Sequence, residues 1–143
     1  MSIRGGLAMP SGPLLLAARV LLAIMFLVSG WTAVTDLSGT AAYMGELGLP
    51  LPSFAALATG LFETAGGLLL VVGLLTRPVA LLLAAFSLVA TWLGHYGQGA
   101  DGFAAFMHWQ AFLKDVAVAG GLVALAMAGP GPLSADAGLR RKS

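Results

Sequence analysis

The chain has 143 residues, of which 59% are hydrophobic and 9% charged, with a mean hydropathy of +0.94. Soluble domains carry about 25% charged residues, so a water-soluble core is excluded. The formal charge of +1 comes without a basic stripe, which excludes nucleic acid as a partner. The absence of cysteine excludes thiolate-held iron–sulfur clusters, a thiol relay and c-type haem, unless a partner supplies them.

Residues 1–13 read as a cytoplasmic N-terminal segment containing Arg4, with Pro10, Gly12 and Pro13 breaking the backbone and Pro13 suited to a first helical turn. Four apolar helices are predicted at about 14–34, 54–75, 78–94 and 110–128. Together they make one all-α, four-helix membrane domain over 14–128, a span needing about 17–25 residues. The third is shortest, with Arg77 and the segment Trp92–Tyr96 as interfacial anchors. Arg4 before an apolar run has the outline of a signal peptide. The run Leu14–Val34 is too long for one and carries Arg19, so an uncleaved helix is expected.

After the first span, Asp36 or Ser38 can cap a short helix running to Gly48, with Ala41–Leu47 lying on the membrane surface. Thr76-Arg77-Pro78 is a tight turn that makes the second and third spans a hairpin. Gly94–Asp101 reads as a glycine-rich loop, and Gly102–Trp109 as a short apolar segment at the interface. Gly129-Pro130-Gly131-Pro132 stops the last helix, leaving 129–143 as a solvated cytoplasmic tail. Arg4, Arg77, Arg140, Arg141 and Lys142 all fall on one side of the four spans. The connections Asp36–Ser53 and Gly94–Trp109 hold no Lys or Arg. The positive-inside rule therefore puts both termini in the cytoplasm.

Small residues recur at three- and four-residue spacing on each helix. The stripes are Arg19, Ala23, Phe26, Gly30, Ala33; then Ala56, Gly60, Glu63, Gly67; then Ala80, Ala84, Ser87, Thr91; and finally Lys114, Ala117, Gly121, Ala124, Ala128. Such stripes mark the inward seam of a bundle in lipid, where close backbone approach drives association. Glu63 lies about 14 Å from the start of its span, near the midplane, at a cost of roughly 2.5–3.5 kcal/mol if unpartnered. Arg19 and Lys114 lie on the same seam, so a buried network of Arg19, Glu63 and Lys114 is expected. It serves either to fix helix register or, with Glu63 as the candidate catalytic residue, to carry protons.

Trp31, Tyr43, Trp92, Tyr96 and Trp109 cluster at the outer ends of the helices together with His95 and His108. An aromatic belt accounts for such residues, but belts ordinarily occupy both surfaces. A one-sided cluster also suits a vestibule for a flat ring bearing carbonyl oxygens, so His95, Trp92, His108 and Trp109 are candidate quinone-binding residues. No haem or metal is expected. Haem ligation by His95 and His108 would require both to leave their loops and face each other, and with Asp101 they lack zinc-motif spacing.

These residues carry a family resemblance. Arg19 with Phe26-Leu27-Val28-Ser29-Gly30, Leu47-Gly48-Leu49-Pro50, Phe62-Glu63-Thr64-Ala65-Gly66-Gly67, Gly73-Leu74-Leu75-Thr76-Arg77 with Ala80, and Lys114-Asp115 resemble the DoxX family over about Leu14 to Leu133. The resemblance implies a small four-helix protein of the bacterial inner membrane. It also implies a link to the small membrane subunit of a thiosulfate:quinone oxidoreductase and to redox complexes in oxidative-stress defence. More distant members of the wider group act as cargo receptors or assembly chaperones. Two functions are thus expected to compete. One is a small subunit supporting quinone-linked electron transfer, in which a protein partner supplies the redox centre or the chain assembles with itself. The other is a non-catalytic scaffold or assembly factor. Permeation of small solutes is a weaker third, since four short helices leave little room for a polar path. Whether the chain is itself catalytic stays open.

Overall fold

Glycines on two helices remove the side chains that would otherwise hold the backbones apart, and this contact organises the bundle. The computed structural model describes residues 11–143; Arg4, Pro10 and the rest of the first ten residues of the expected N-terminal segment lie outside the described residues. Six helices follow: α1 Ser11–Thr35, α2 Leu37–Glu46, α3 Pro52–Val72, α4 Thr76–Gly94, α5 Gly102–Ala128 and α6 Ala135–Lys142. Helices α1, α3, α4 and α5 are long and apolar enough to cross a membrane. Among the described residues there is no strand.

A Cβ added at Gly30 of α1 would lie 2.6 Å from the Thr64 amide nitrogen and 2.9 Å from the Gly60 carbonyl oxygen, both α3 backbone. One added at Gly60 would meet the Val34 side chain at 2.8 Å. Arg19, Ala23, Phe26, Gly30 and Ala33 are buried on α1, and Ala56, Gly60, Glu63 and Gly67 on α3. Ala80, Ala84, Ser87 and Thr91 are buried on α4. Leu70, Leu83 and Leu122 fill the core between the helices.

The inward face of α5 is not the one its small residues suggest. Ala119, Leu122, Leu125 and Ala126 are buried, while Lys114, Ala117, Ala124 and Ala128 are exposed. Two leucines turn inward beside two alanines, in a core to which α4 contributes the small side chains Ala80 and Ala84. The helix also begins at Gly102, not near residue 110. Asp101 caps it by accepting from the Ala104 amide at 2.8 Å, so the segment Gly102–Trp109 is continuous with the span. In the first connection Asp36 caps α2, accepting from the Gly39 amide at 3.0 Å. Ten residues make that helix about 15 Å long, too short to cross.

The tail is also not simply solvated. Ser134 caps α6 by accepting from the Ala137 amide at 3.2 Å, and Asp136 falls in its first turn with Arg140, Arg141 and Lys142 in its last. Asp136 then caps a different helix. Its carboxylate accepts from the amides of Leu75 at 2.9 Å and Thr76 at 3.1 Å, at the start of α4. Leu75 has a left-handed backbone (φ 52°) and no side-chain acceptor of its own to offer. A strained non-glycine residue of this kind costs about 1–3 kcal/mol, and the tail's carboxylate offsets part of it.

Burial alone would raise the Asp136 carboxyl, but the Thr76 and Leu75 amides and the nearby Arg140 charge outweigh it and hold it below the ordinary range. A depressed carboxyl stabilises the docked tail above its unfolded value and loses that contribution as pH falls through the folded one. Acidification should therefore release the tail. Asp136→Asn should do so at neutral pH, read as faster trypsin cleavage after Arg140 and Arg141. Gly30→Val should destabilise the bundle by about 1–3 kcal/mol through forced separation of α1 and α3. Gly120→Ala, where an added Cβ meets nothing, should leave the melting temperature in detergent unchanged.

Candidate functional site

Two turns of α3 separate the groups expected to form one ionic network. Arg19 is fully buried, and its Nη1 donates to the carbonyl oxygens of Leu70 at 3.5 Å and Val71 at 3.4 Å; Nη2 donates to the carbonyl of Leu133. The guanidinium thus sits at the carbonyl end of α3, where the helix dipole favours a cation. Gly73 leaves room for it, since a Cβ there would collide with Nη1. Leu70 is seven residues beyond Glu63, a rise of about 11 Å, which an arginine side chain anchored at its own end does not cover. Lys114 is exposed. Neither cation forms an ion pair with Glu63, and the predicted network is corrected on this point. Glu63 instead accepts a hydrogen bond from Ser29 of α1, Oγ to Oε2 at 3.0 Å.

Glu63 opens into a cavity of about 480 Å³ in the half of the bundle that carries the histidines. Met25 and Phe26 of α1 and Phe86 and Ala90 of α4 supply apolar walls, and Phe86 also meets Phe62 at a tilt of 53° with centroids 5.2 Å apart. Ser29, Glu63, Ser87, His95 and Asp115 supply the polar groups. Tyr43 and Met44 of α2 roof the space, and the Tyr43 hydroxyl donates to the Gly94 carbonyl at 3.4 Å, tying the roof to the end of α4. The Ser87 hydroxyl is buried and has no hydrogen-bond partner, although it lines the cavity. A buried hydroxyl without a partner costs about 1–3 kcal/mol, so this group is available to a ligand.

At the mouth, the histidines meet. His95 is the residue that ends α4 and His108 lies in the second turn of α5; their Nδ1 atoms are 2.9 Å apart, so one ring donates and the other accepts. The expectation that both histidines sit in loops outside the spans fails for His108, because α5 starts early enough to carry it. The other ring nitrogen of His95, Nε2, lies 3.9 Å from the Asp115 carboxylate. His108 and Asp115 are seven residues apart on α5 and share its face, which is the spacing that was available in the sequence. Trp92 (57% exposed) and Trp109 (47% exposed) are not cavity residues. Trp92 stacks on Tyr96 with centroids at 4.1 Å, and Trp109 on Phe112 at 5.5 Å, forming an aromatic collar at the end of the bundle.

A bundle of four membrane-crossing helices, with a mostly apolar cavity into which a few polar groups point, defines a small integral membrane protein. The family model for DoxX matches residues 14–96. The inner membrane protein YphA of Escherichia coli is 35% identical over 123 residues, covering 86% of this chain and 88% of that protein. The Escherichia coli inner membrane protein YqjF is 38% identical over 127 residues, 89% and 92% of the two chains. CatD of Bacillus subtilis, provisionally named an oxidoreductase, is 41% identical over 73 residues, 51% of this chain and 52% of that one. No solved structure matches the chain. The chain belongs to the DoxX family, and it is a multi-pass protein of the bacterial inner membrane.

Because the natural chain has no cysteine, an introduced thiol reports on the cavity alone. Ser87→Cys should react with a small uncharged thiol reagent in detergent. Thr91→Cys, one turn along α4 and equally buried but outside the cavity, should react much more slowly, with the ratio read by mass spectrometry.

Proposed function

We propose that this protein is a quinone-binding membrane subunit of an oxidoreductase complex, with electrons delivered by a partner protein. The observation that carries this reading is a cavity with apolar walls and a carboxyl, an unpartnered hydroxyl and an imidazole converging on it. Its volume falls within the roughly 300–1,000 Å³ usual for small-molecule sites. Met25, Phe26 and Phe86 fit a flat apolar ring, and the Ser87 hydroxyl fits a carbonyl oxygen as its missing acceptor. A bound quinone supplies two-electron, two-proton redox chemistry. The chain's own residues hold and move the protons. Glu63, steadied by Ser29, is the acid–base group at the deep end, and His95 with His108 and Asp115 exchanges protons with water at the mouth. The absence of Lys and Arg from both connections at that end supports an outward-facing mouth and cytoplasmic termini. The provisional oxidoreductase name of CatD is consistent with the same chemistry.

A scaffold role finds support in a different observation, the small residues Ala117, Gly120 and Ala124 left exposed on α5, where a second membrane protein's helix fits closely. The two readings separate in one experiment. Protein purified in mild detergent should retain about one quinone per chain on solvent extraction. Ser87→Ala and Glu63→Gln should each weaken binding of a short-chain quinone about tenfold, the worth of one buried hydrogen bond. A folded protein that binds no quinone, or that binds it equally well in both variants, refutes the quinone reading; stable co-purification of a membrane partner in the same preparation then favours the scaffold.

A further inference from the structure

At the opposite end of the bundle from the histidines, three arginines converge on a second cavity of about 370 Å³. Arg77 comes from the first turn of α4, Arg140 and Arg141 from the last turn of α6, and the floor is Ala128 at the end of α5 with Gly131 and Pro132 beyond it. The docking of Asp136 onto Leu75 and Thr76 is what brings α6, and with it two of the guanidiniums, beside Arg77. Asp136 spends its carboxylate oxygens on those amides, and among the described residues no carboxylate lies within 4 Å of any of the three arginines. Arg77 is oriented through Nη1, which donates to the carbonyls of Ala126 at 2.8 Å and Met127 at 2.9 Å. Gly129 leaves open the space beside Nη2, where a Cβ would intrude at 2.9 Å.

We propose that this cavity binds the phosphodiester headgroup of an anionic phospholipid. Three positive charges outnumber the one nearby carboxylate, Asp136, which is already bonded to two amides and lies beyond ion-pair distance. The excess calls for an anion, and guanidinium forks match the paired oxygens of a phosphate. The position selects a lipid over free phosphate. The cavity lies at the ends of two membrane-crossing helices, in the layer where headgroups sit. Next in the chain to the lining residues Ala128 and Arg140 stand exposed apolar side chains, Met127 at 77% and Leu139 at 59%, which acyl chains would cover. A bound headgroup would bridge α4 and α6 and hold the tail in its docked position.

The test uses the full-length protein in a neutral detergent, with phosphatidylglycerol, phosphatidylcholine or inorganic phosphate added and native mass spectrometry as the readout. The expected result is a discrete one-to-one adduct with phosphatidylglycerol, at least about tenfold tighter than with phosphatidylcholine, that inorganic phosphate does not displace. The double variant Arg140→Gln, Arg141→Gln should lose that adduct while melting, in the absence of lipid, close to the wild-type temperature, because both side chains are exposed and the Asp136 bonds to the Leu75 and Thr76 amides, which dock α6, remain. Equal retention of the two lipids, or retention of phosphatidylglycerol by the double variant, overturns the site. Displacement by equimolar inorganic phosphate overturns the lipid as its ligand.

Discussion

Backbone contact between α1 and α3 is the constraint on which the rest of this structure depends. Gly30 and Gly60 let the two helices touch, with the Gly30 Cα facing the Thr64 amide and Gly60 facing Val34. At that distance a serine on α1 reaches a glutamate on α3, and the Ser29–Glu63 bond forms. In hydrocarbon the gain from such proximity is dispersion and a hydrogen bond, with no help from water expulsion. The deep carboxyl is therefore satisfied by the same geometry that holds the pair together.

The two ends of the bundle divide the remaining polar chemistry. At one end, imidazoles and a carboxylate face one another across the mouth of an apolar cavity. At the other, a buried guanidinium and a carboxylate from the tail fasten the chain terminus to α3 and α4. Arg19 and Glu63 share a seam but answer to different ends. Their separation leaves Glu63 without a competing cation, so its carboxyl faces the cavity rather than a fixed ion pair.

Much of this is legible in the sequence. The inward stripes of α1, α3 and α4 can be read directly, since each alternates small residues with an occasional polar one at helical spacing. The stripe of α5 misleads. Alanine and glycine occur on both sides of that helix, and the choice of face is made by the volume its neighbour α4 leaves, which one-dimensional spacing does not contain. A phase error of one residue then puts Lys114 inside and Asp115 outside, the reverse of the structure. The expected network failed for a related reason: stripe membership fixes a face but not a height, and about 11 Å of height separates Glu63 from the carbonyls that Arg19 takes. The tail was within reach of sequence reasoning. Ser134 followed by Asp136 and three terminal cations carries the cap and dipole signature of a short helix. Its docking onto Leu75 rests on a left-handed leucine that no sequence pattern marks.

The hydrogen bond from Arg19 to Leu133 spans 114 positions. The first helix therefore carries a cation whose last acceptor is made only after all four membrane-crossing helices have been synthesised. Until that residue leaves the ribosome, the guanidinium has only the Leu70 and Val71 carbonyls of α3 to bond, and before α3 is made it must be hydrated. A chain stopped short of Leu133 leaves Nη2 of that guanidinium without its acceptor inside the bundle.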